Sequence, residues 1–243
     1  MPHTIPLTVR RALVVLSVGT VGCGSDIMLP ESPGGGDQTV ALTKVNGDEQ
    51  TGRVGESLKN SLIVRVLNQT QSPVTGQEVT FELSDPAGGV VDPVMATTNS
   101  EGQAVANWTL GTIPGDYRVT ARLADGSDED KIQEFHAVAQ PGAPDTLRPS
   151  SPVLQPGRRE QPVATPPAVV VVDRFGNPVP NVPVVWQVAA GEGQVTAPIS
   201  NTDLTGVASV AWTLGDEMGV HKLTATIESV AALPITFTAR VLF

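Results

Sequence analysis

Residues Trp108–Leu123 read WTLGTIPGDYRVTARL, and 104 positions further on residues Trp212–Ile227 read WTLGDEMGVHKLTATI. Self-similarity at a fixed offset marks a repeated structural unit. The two passages share their Trp-Thr-Leu-Gly opening, a second glycine (Gly115, Gly219) and a Thr-Ala pair near the end. Large and small apolar residues take every second place. Ala104, Ala106, Trp108 and Leu110 form one such row, matched by Ala208, Val210, Trp212 and Leu214; Tyr117, Val119, Ala121 and Leu123 form the next, matched by His221, Leu223, Ala225 and Ile227. A period of two describes a strand with one buried face, so each passage reads as a strand, a turn and a second strand directed to a core.

The repeat extends outward from there. Val66-Leu-Asn-Gln-Thr-Gln-Ser-Pro73-Val74 aligns with Val171-Val-Asp-Arg-Phe-Gly-Asn-Pro178-Val179, and Val79-Thr-Phe81-Glu-Leu83 with Val184-Val-Trp186-Gln-Val188, both at an offset of 105. Asn99-Ser-Glu-Gly102 aligns with Asp203-Leu-Thr-Gly206 at 104, and Phe135 with Phe237 at 102. The offset drifts in turns, where changes of length are tolerated. The chain holds 24 Gly and 21 Pro, is rich in Val and Thr, and has only 16% charged residues, a composition that favours short strands and tight turns over helices. About seven strands per hundred residues predict an all-β protein of two tandem immunoglobulin-like antiparallel β-sandwich domains, over residues 39–140 and 146–243. Residues 141–145 form the linker, and the prolines of Gln140-Pro-Gly-Ala-Pro-Asp145 make it semi-rigid.

Ahead of the first domain, Arg10 and Arg11 precede an apolar run, Ala12–Val21, which is too short to cross a bilayer and ends at Gly22-Cys23. Basic residues, an apolar run and small residues describe a secretory signal peptide over residues 1–22. Thr20-Val21-Gly22-Cys23 resembles the lipobox of bacterial lipoproteins, departing from it at Thr20, where that family prefers Leu. The resemblance implies cleavage before Cys23, lipid attachment to its thiol, and a bacterial outer-membrane or cell-surface location. Residues 23–38, rich in Gly, Pro and Ser, then read as a flexible tether between a membrane and the folded part. Cys23 is the only cysteine, so no intrachain disulfide forms and each core holds by packing. Removing Arg10 and Arg11 from the 15 basic residues leaves 13 against 25 acidic ones, a net charge of −12. Such a surface repels phosphate backbones, which argues against a nucleic-acid partner.

Asp173-Arg-Phe-Gly-Asn-Pro-Val179, Val184-Val-Trp186, Thr202-Asp203-Leu-Thr-Gly206, Gly219 and Leu223-Thr-Ala225 together resemble the bacterial immunoglobulin-like repeat of the invasin and intimin group, called Big-1. The first copy is similar but altered, with Asn68 in place of the Asp and Gln71-Ser72 in place of Gly-Asn. The resemblance covers about Thr39 to Phe243. It implies extracellular stacked modules without enzymatic activity, acting as a structural spacer or an adhesion module. It is a likeness to the stalk repeats of that group, so their receptor binding does not carry over. A carbohydrate- or protein-binding accessory role in an envelope complex is the alternative.

The sequence carries little that points to chemistry. Catalysis requires a nucleophile with a base, paired carboxylates or a metal cluster. The three histidines are His3 in the signal region and His136 and His221 in strands, and no metalloprotease, nucleophile-elbow, Walker or dinucleotide motif occurs. The sequence therefore predicts no catalytic residues, no cofactor and no enzyme. Asp125-Gly-Ser-Asp128-Glu-Asp130 is a calcium candidate through Asp125, Asp128 and Asp130, although EF-hand spacing is missing and a solvated hairpin loop is the better reading. Tyr117 occupies the place of the sandwich tyrosine whose hydroxyl bonds back to nearby backbone, and His221 holds the same place in the second copy. Asp173 reads as a turn residue that accepts from the backbone of Gly176 or Asn177. Two glycosylation sequons, at Asn68 and Asn107, would matter only in a eukaryotic secretory pathway.

Overall fold

The strands form where apolar residues alternate. The computed structural model describes residues 40–124, 129–228 and 233–242. The first sandwich comprises β1 (Val40–Asn46), β2 (Gln50–Arg53), β3 (Leu62–Asn68), β4 (Glu78–Leu83), β5 (Gly89–Asp92), β6 (Met95–Thr97), β7 (Gln103–Leu110), β8 (Gly115–Leu123) and β9 (Ile132–Gln140). The second comprises β10 (Thr146–Pro149), β11 (Leu154–Gly157), β12 (Ala168–Val172), β13 (Pro183–Ala190), β14 (Gly193–Val195), β15 (Ile199–Asn201), β16 (Val207–Ser209), β17 (Trp212–Leu214), β18 (Gly219–Thr226) and β19 (Ile235–Val241). Both sandwiches belong to one compact unit, Gln38–Phe243. No helix among the described residues is long and apolar enough to cross a membrane, which leaves strands out of account.

In the first sandwich the order β1-β3-β7-β5 faces the order β2-β9-β8-β4-β6. The second keeps the same plan, with β11-β19-β18-β13-β15 in one sheet and β10-β12-β16 and β14-β17 in the other. The passages that reveal the repeat are β7–β8 and β17–β18. Trp108, Leu110, Val119 and Leu123 are buried in one core with Phe81 and Phe135, and Trp212, Leu214, Leu223 and Ile227 in the other with Trp186 and Phe237. Burial of side chains this large dominates the stability of a sandwich that has no disulfide.

Two features depart from the sequence expectation. The pairing is not wholly antiparallel, because β2 runs parallel to β9 and β11 parallel to β19. The chain leaves β1 in one sheet and enters the edge of the other, where a buried glutamine fixes it. Gln50 donates to Asn60 O at 2.9 Å and accepts from Asn60 N at 2.9 Å; Gln155 repeats both bonds with Thr165. The second departure is that the continuous β7 of the first copy becomes two strands, β16 and β17. Leu62 pairs with Ala106 in the first copy, whereas Pro167 stands at the equivalent place and the ladder stops at Ala168 opposite Ser209. Proline has no N–H to donate, so at this place only the bond from Val210 N to Pro167 O remains and the ladder is interrupted.

Candidate functional site

Four loops share one design. Asn68 Oδ1 accepts from the amides of Thr70 and Ser72 at 3.0 and 2.9 Å, and Asn99 Oδ1 from those of Glu101 and Gln103 at 2.9 Å each. Asp173 Oδ1 accepts from Phe175 and Asn177, both at 2.9 Å. Asp203 Oδ1 accepts from Thr205 and Val207 at 2.8 and 3.0 Å. A short carboxylate or amide two and four residues before the amides it caps holds a tight loop without help from the sheet. Asp173 thus bonds Asn177 as the sequence suggested, with Phe175 rather than Gly176 as its second partner.

Asp173 also reaches beyond its own loop. Its Oδ2 accepts from the linker amide of Gly142 at 2.8 Å and from Asn177 Nδ2 at 2.9 Å, and Asn177 Nδ2 donates further to Thr112 O in the first sandwich at 2.8 Å. Burial raises the Asp173 pKa, but the hydrogen bonds from Asn177, Gly142 and Phe175 outweigh it, and the carboxyl is held below its ordinary value. Beside it, the Arg174 guanidinium lies over the Phe175 ring at 4.5 Å. Loop, linker and first sandwich are therefore bonded together at one place.

The tyrosine position is filled as expected: Tyr117 donates to Ile113 O at 2.9 Å. Burial, and then the negative charge of Asp85, raise its pKa. His221, fully buried, places Nε2 at 3.0 Å from Glu217 O, the counterpart of Ile113, and Nδ1 at 3.2 Å from Glu192 O. Both ring nitrogens thus face backbone carbonyls, and which of them donates depends on the tautomer. Both contacts are to backbone, and the role is structural.

Sequence reasoning missed a cluster at the edge of the first sandwich. One ligand atom each from Asp48, Glu49 and His136 lies within 4.8 Å of the others. The parallel pairing of β2 with β9 brings together residues 87 and 88 positions apart, and neither stretch carries a metal motif. Asp48 Oδ1 accepts from the amides of His136 and Glu49 at 2.9 and 3.0 Å, and the Lys44 ammonium bonds its other oxygen. Burial raises the Asp48 pKa, yet Lys44 and the amides of His136 and Glu49 hold it below its ordinary value. His136 Nδ1 lies 3.1 Å from Glu49 Oε1. The carboxylate is thus already satisfied by protein donors, and the cluster reads as an ion-pair network beside an open depression of about 430 Å³ lined in part by Thr51, Asp116 and Arg118.

Of the sequence candidates, Asp130 sits exposed in a single 3-10 turn, Glu129–Lys131. Asp125, Asp128 and Cys23 lie outside the described residues. Asn68 is occupied within its loop, and Asn107 Oδ1 accepts from Ser61 Oγ at 2.7 Å.

Comparison with known proteins gives a family for this geometry. A model described as bacterial Ig-like domain (group 1) matches residues 55–135 and 164–238. No curated protein matches. Among solved structures, the chain is similar to the Yersinia pseudotuberculosis adhesin InvE at 19% identity and a TM-score of 0.42, covering 86% of this chain and 62% of that one. The Escherichia coli adhesin FdeC is similar at 19% and 0.48, covering 82% and 63%. The D0-D1 domain of intimin is similar at 16% and 0.32, covering 84% and 100%. The chain thus spans less than two thirds of the two adhesin structures.

Proposed function

This chain belongs to the bacterial Ig-like domain (group 1) family, and from that premise we propose that it is a non-enzymatic cell-envelope lipoprotein whose two domains act as a structural spacer or adhesion module. The observation that carries this reading is the bonding of the two sandwiches through Asp173, Asn177 and the linker. A spacer requires domains that hold each other, and the residues repeated in both copies serve the cores and the loops. The membrane connection rests on Arg10, Arg11, the apolar run and Cys23. Membrane fractionation and protease shaving of intact cells test it together. Wild-type protein is expected in the membrane fraction and open to external protease, and Cys23→Ser in the soluble fraction. A Cys23→Ser protein that stays in the membrane would remove the lipid anchor, and a protease-resistant one would place the module inside the envelope.

A second reading, a protein- or glycan-binding accessory subunit, draws on an exposed apolar stretch. Val90, Val94 and Met95 are 64, 60 and 56% exposed on and between β5 and β6, each the outer strand of its sheet. An outer strand offers free backbone groups to an added strand. Cross-linking in intact cells is expected to give one reproducible adduct at this edge if the reading holds, and none if it does not.

A further inference from the structure

Beside the bonds of Asp173 and Asn177, the joint between the sandwiches includes a contact made where one side chain is absent. Gly55 lies in the turn after β2 with φ +73, and a Cβ built there would meet Phe175 Cζ at 2.7 Å, Cε2 at 2.9 Å and Arg174 Nη2 at 3.0 Å. The Arg174–Phe175 pair therefore rests on bare backbone of the first sandwich, while Asn177 holds Thr112 O beside it. A methyl group at Gly55 would displace the ring, because contacts this short do not occur.

The same turn exists in the second sandwich and can be aligned without ambiguity. The paired bonds of Gln50 with Asn60 and of Gln155 with Thr165 fix an offset of 105, which sets Gly55 against Glu160. Both residues have positive φ, 73 and 54. Both donate to the glycine that follows the Trp-Thr-Leu passage, Gly55 to Gly111 O and Glu160 to Gly215 O. The second sandwich thus carries an exposed carboxylate side chain where the first carries none. On the opposite side of the joint, the first sandwich's own loop has Thr70 and Ser72 where the second has Phe175 and Asn177.

We propose that the Arg174–Asn177 loop is a keyed docking surface for an Ig-like module with glycine at the Gly55 position, and that Glu160 closes the far turn of the second sandwich to a loop of the same kind. The joint then fixes the order of these two domains and does not propagate into a stack of copies. The inference goes beyond the spacer reading and depends neither on lipidation nor on location.

Limited proteolysis of the linker (residues 141–145) in the full chain with a broad-specificity protease reads the joint directly, and shared alignment of the two domains in residual dipolar couplings reads it independently. Gly55→Ala and Phe175→Ala are expected to raise the cleavage rate by about threefold to tenfold, the range for local opening made easier by a displaced ring. Gly55→Glu, which carries the second sandwich's own residue into the joint, is expected to raise it further. Gly76 supplies the control: its φ is +80 and a Cβ there would meet nothing within 4 Å. Gly76→Ala imposes the same backbone strain without the clash and is expected to leave the linker protected. Equal cleavage of Gly55→Ala and Gly76→Ala, or wild-type protection in Gly55→Glu, would overturn the proposal. Phe175 is 38% exposed and lies outside both cores, so its truncation leaves their packing intact; an unchanged Phe175→Ala linker would also overturn the proposal.

Discussion

Trp108 and Trp212 hold equivalent places in the two cores, yet their indole nitrogens differ. Trp108 Nε1 donates to Gly88 O at 2.9 Å, whereas Trp212 Nε1 is buried with no acceptor among the described residues. The equivalent carbonyls can be identified, because Gly111 N donates to Gly88 O and Gly215 N to Glu192 O. In the second copy, therefore, the carbonyl that would serve the tryptophan faces His221 Nδ1 instead. A Cβ at Gly88 would come within 3.0 Å of the Tyr117 ring; Glu192 has that Cβ, and the smaller imidazole stands where the phenol stood. Both Trp→Phe substitutions remove similar packing, but only Trp108→Phe loses a hydrogen bond, so it should cost about 1 kcal/mol more than Trp212→Phe. Urea unfolding of the two variants, monitored by near-UV circular dichroism, checks the difference. Equal losses would mean that the Gly88 bond contributes nothing net. The tryptophan pair was legible in the sequence as repeated core residues. The exchange of acceptors was not, since it depends on a turn 20 residues from each tryptophan.

Among the elements, the capped loops and the strands differ in how far sequence determines them. Period-two alternation located the Trp-centred strands because burial on one face leaves a direct trace in residue order. The parallel edge strands β2 and β11 left no such trace, as their placement depends on side-chain bonds of Gln50 and Gln155. The loop caps were half legible. Asp173 reads as a turn residue from its neighbours, but its bond to Gly142 spans 31 positions and its extension to Thr112 passes through Asn177. That reach gives the Asp173 loop more to lose than the Asn68 loop, which among the described residues the neutral amide caps by local bonds alone. Asp173→Ala is expected to destabilise by about 2–3 kcal/mol, as for loss of several charge-assisted bonds, and Asn68→Ala by about 1 kcal/mol. Thermal unfolding of the two single variants checks the order. An Asn68→Ala loss as large as that of Asp173→Ala would show that the bonds outside the loop add nothing.

For the molecule as a whole, the depressed carboxylates set how stability and the joint respond to acid. Asp48 and Asp173 owe their low pKa values to hydrogen bonds that outweigh burial; at Asp203 the hydroxyl of Thr205 and the amide of Val207 are the leading causes. A group whose pKa is lower folded than unfolded binds its proton more readily in the unfolded chain. Its stabilisation is complete above the unfolded value, about 3.9 for Asp, and is lost as pH falls through the folded value. Unfolding free energy should therefore be level from neutral pH down to about 5 on account of these groups, and should decline below about pH 4. Asp173 stands apart because its carboxylate holds Gly142 as well as its own loop. Protonating it should open the linker to protease before either core unfolds. Asp173→Asn removes the titrating charge and sets an amide N–H against donors, either Gly142 N and Asn177 Nδ2 or the loop amides of Phe175 and Asn177, so its linker should be cleaved faster at neutral pH and show little further change on acidification. A wild-type linker that stays protected at low pH until both tryptophan cores melt would mean that Phe175 on Gly55, rather than the carboxylate, holds the domains together.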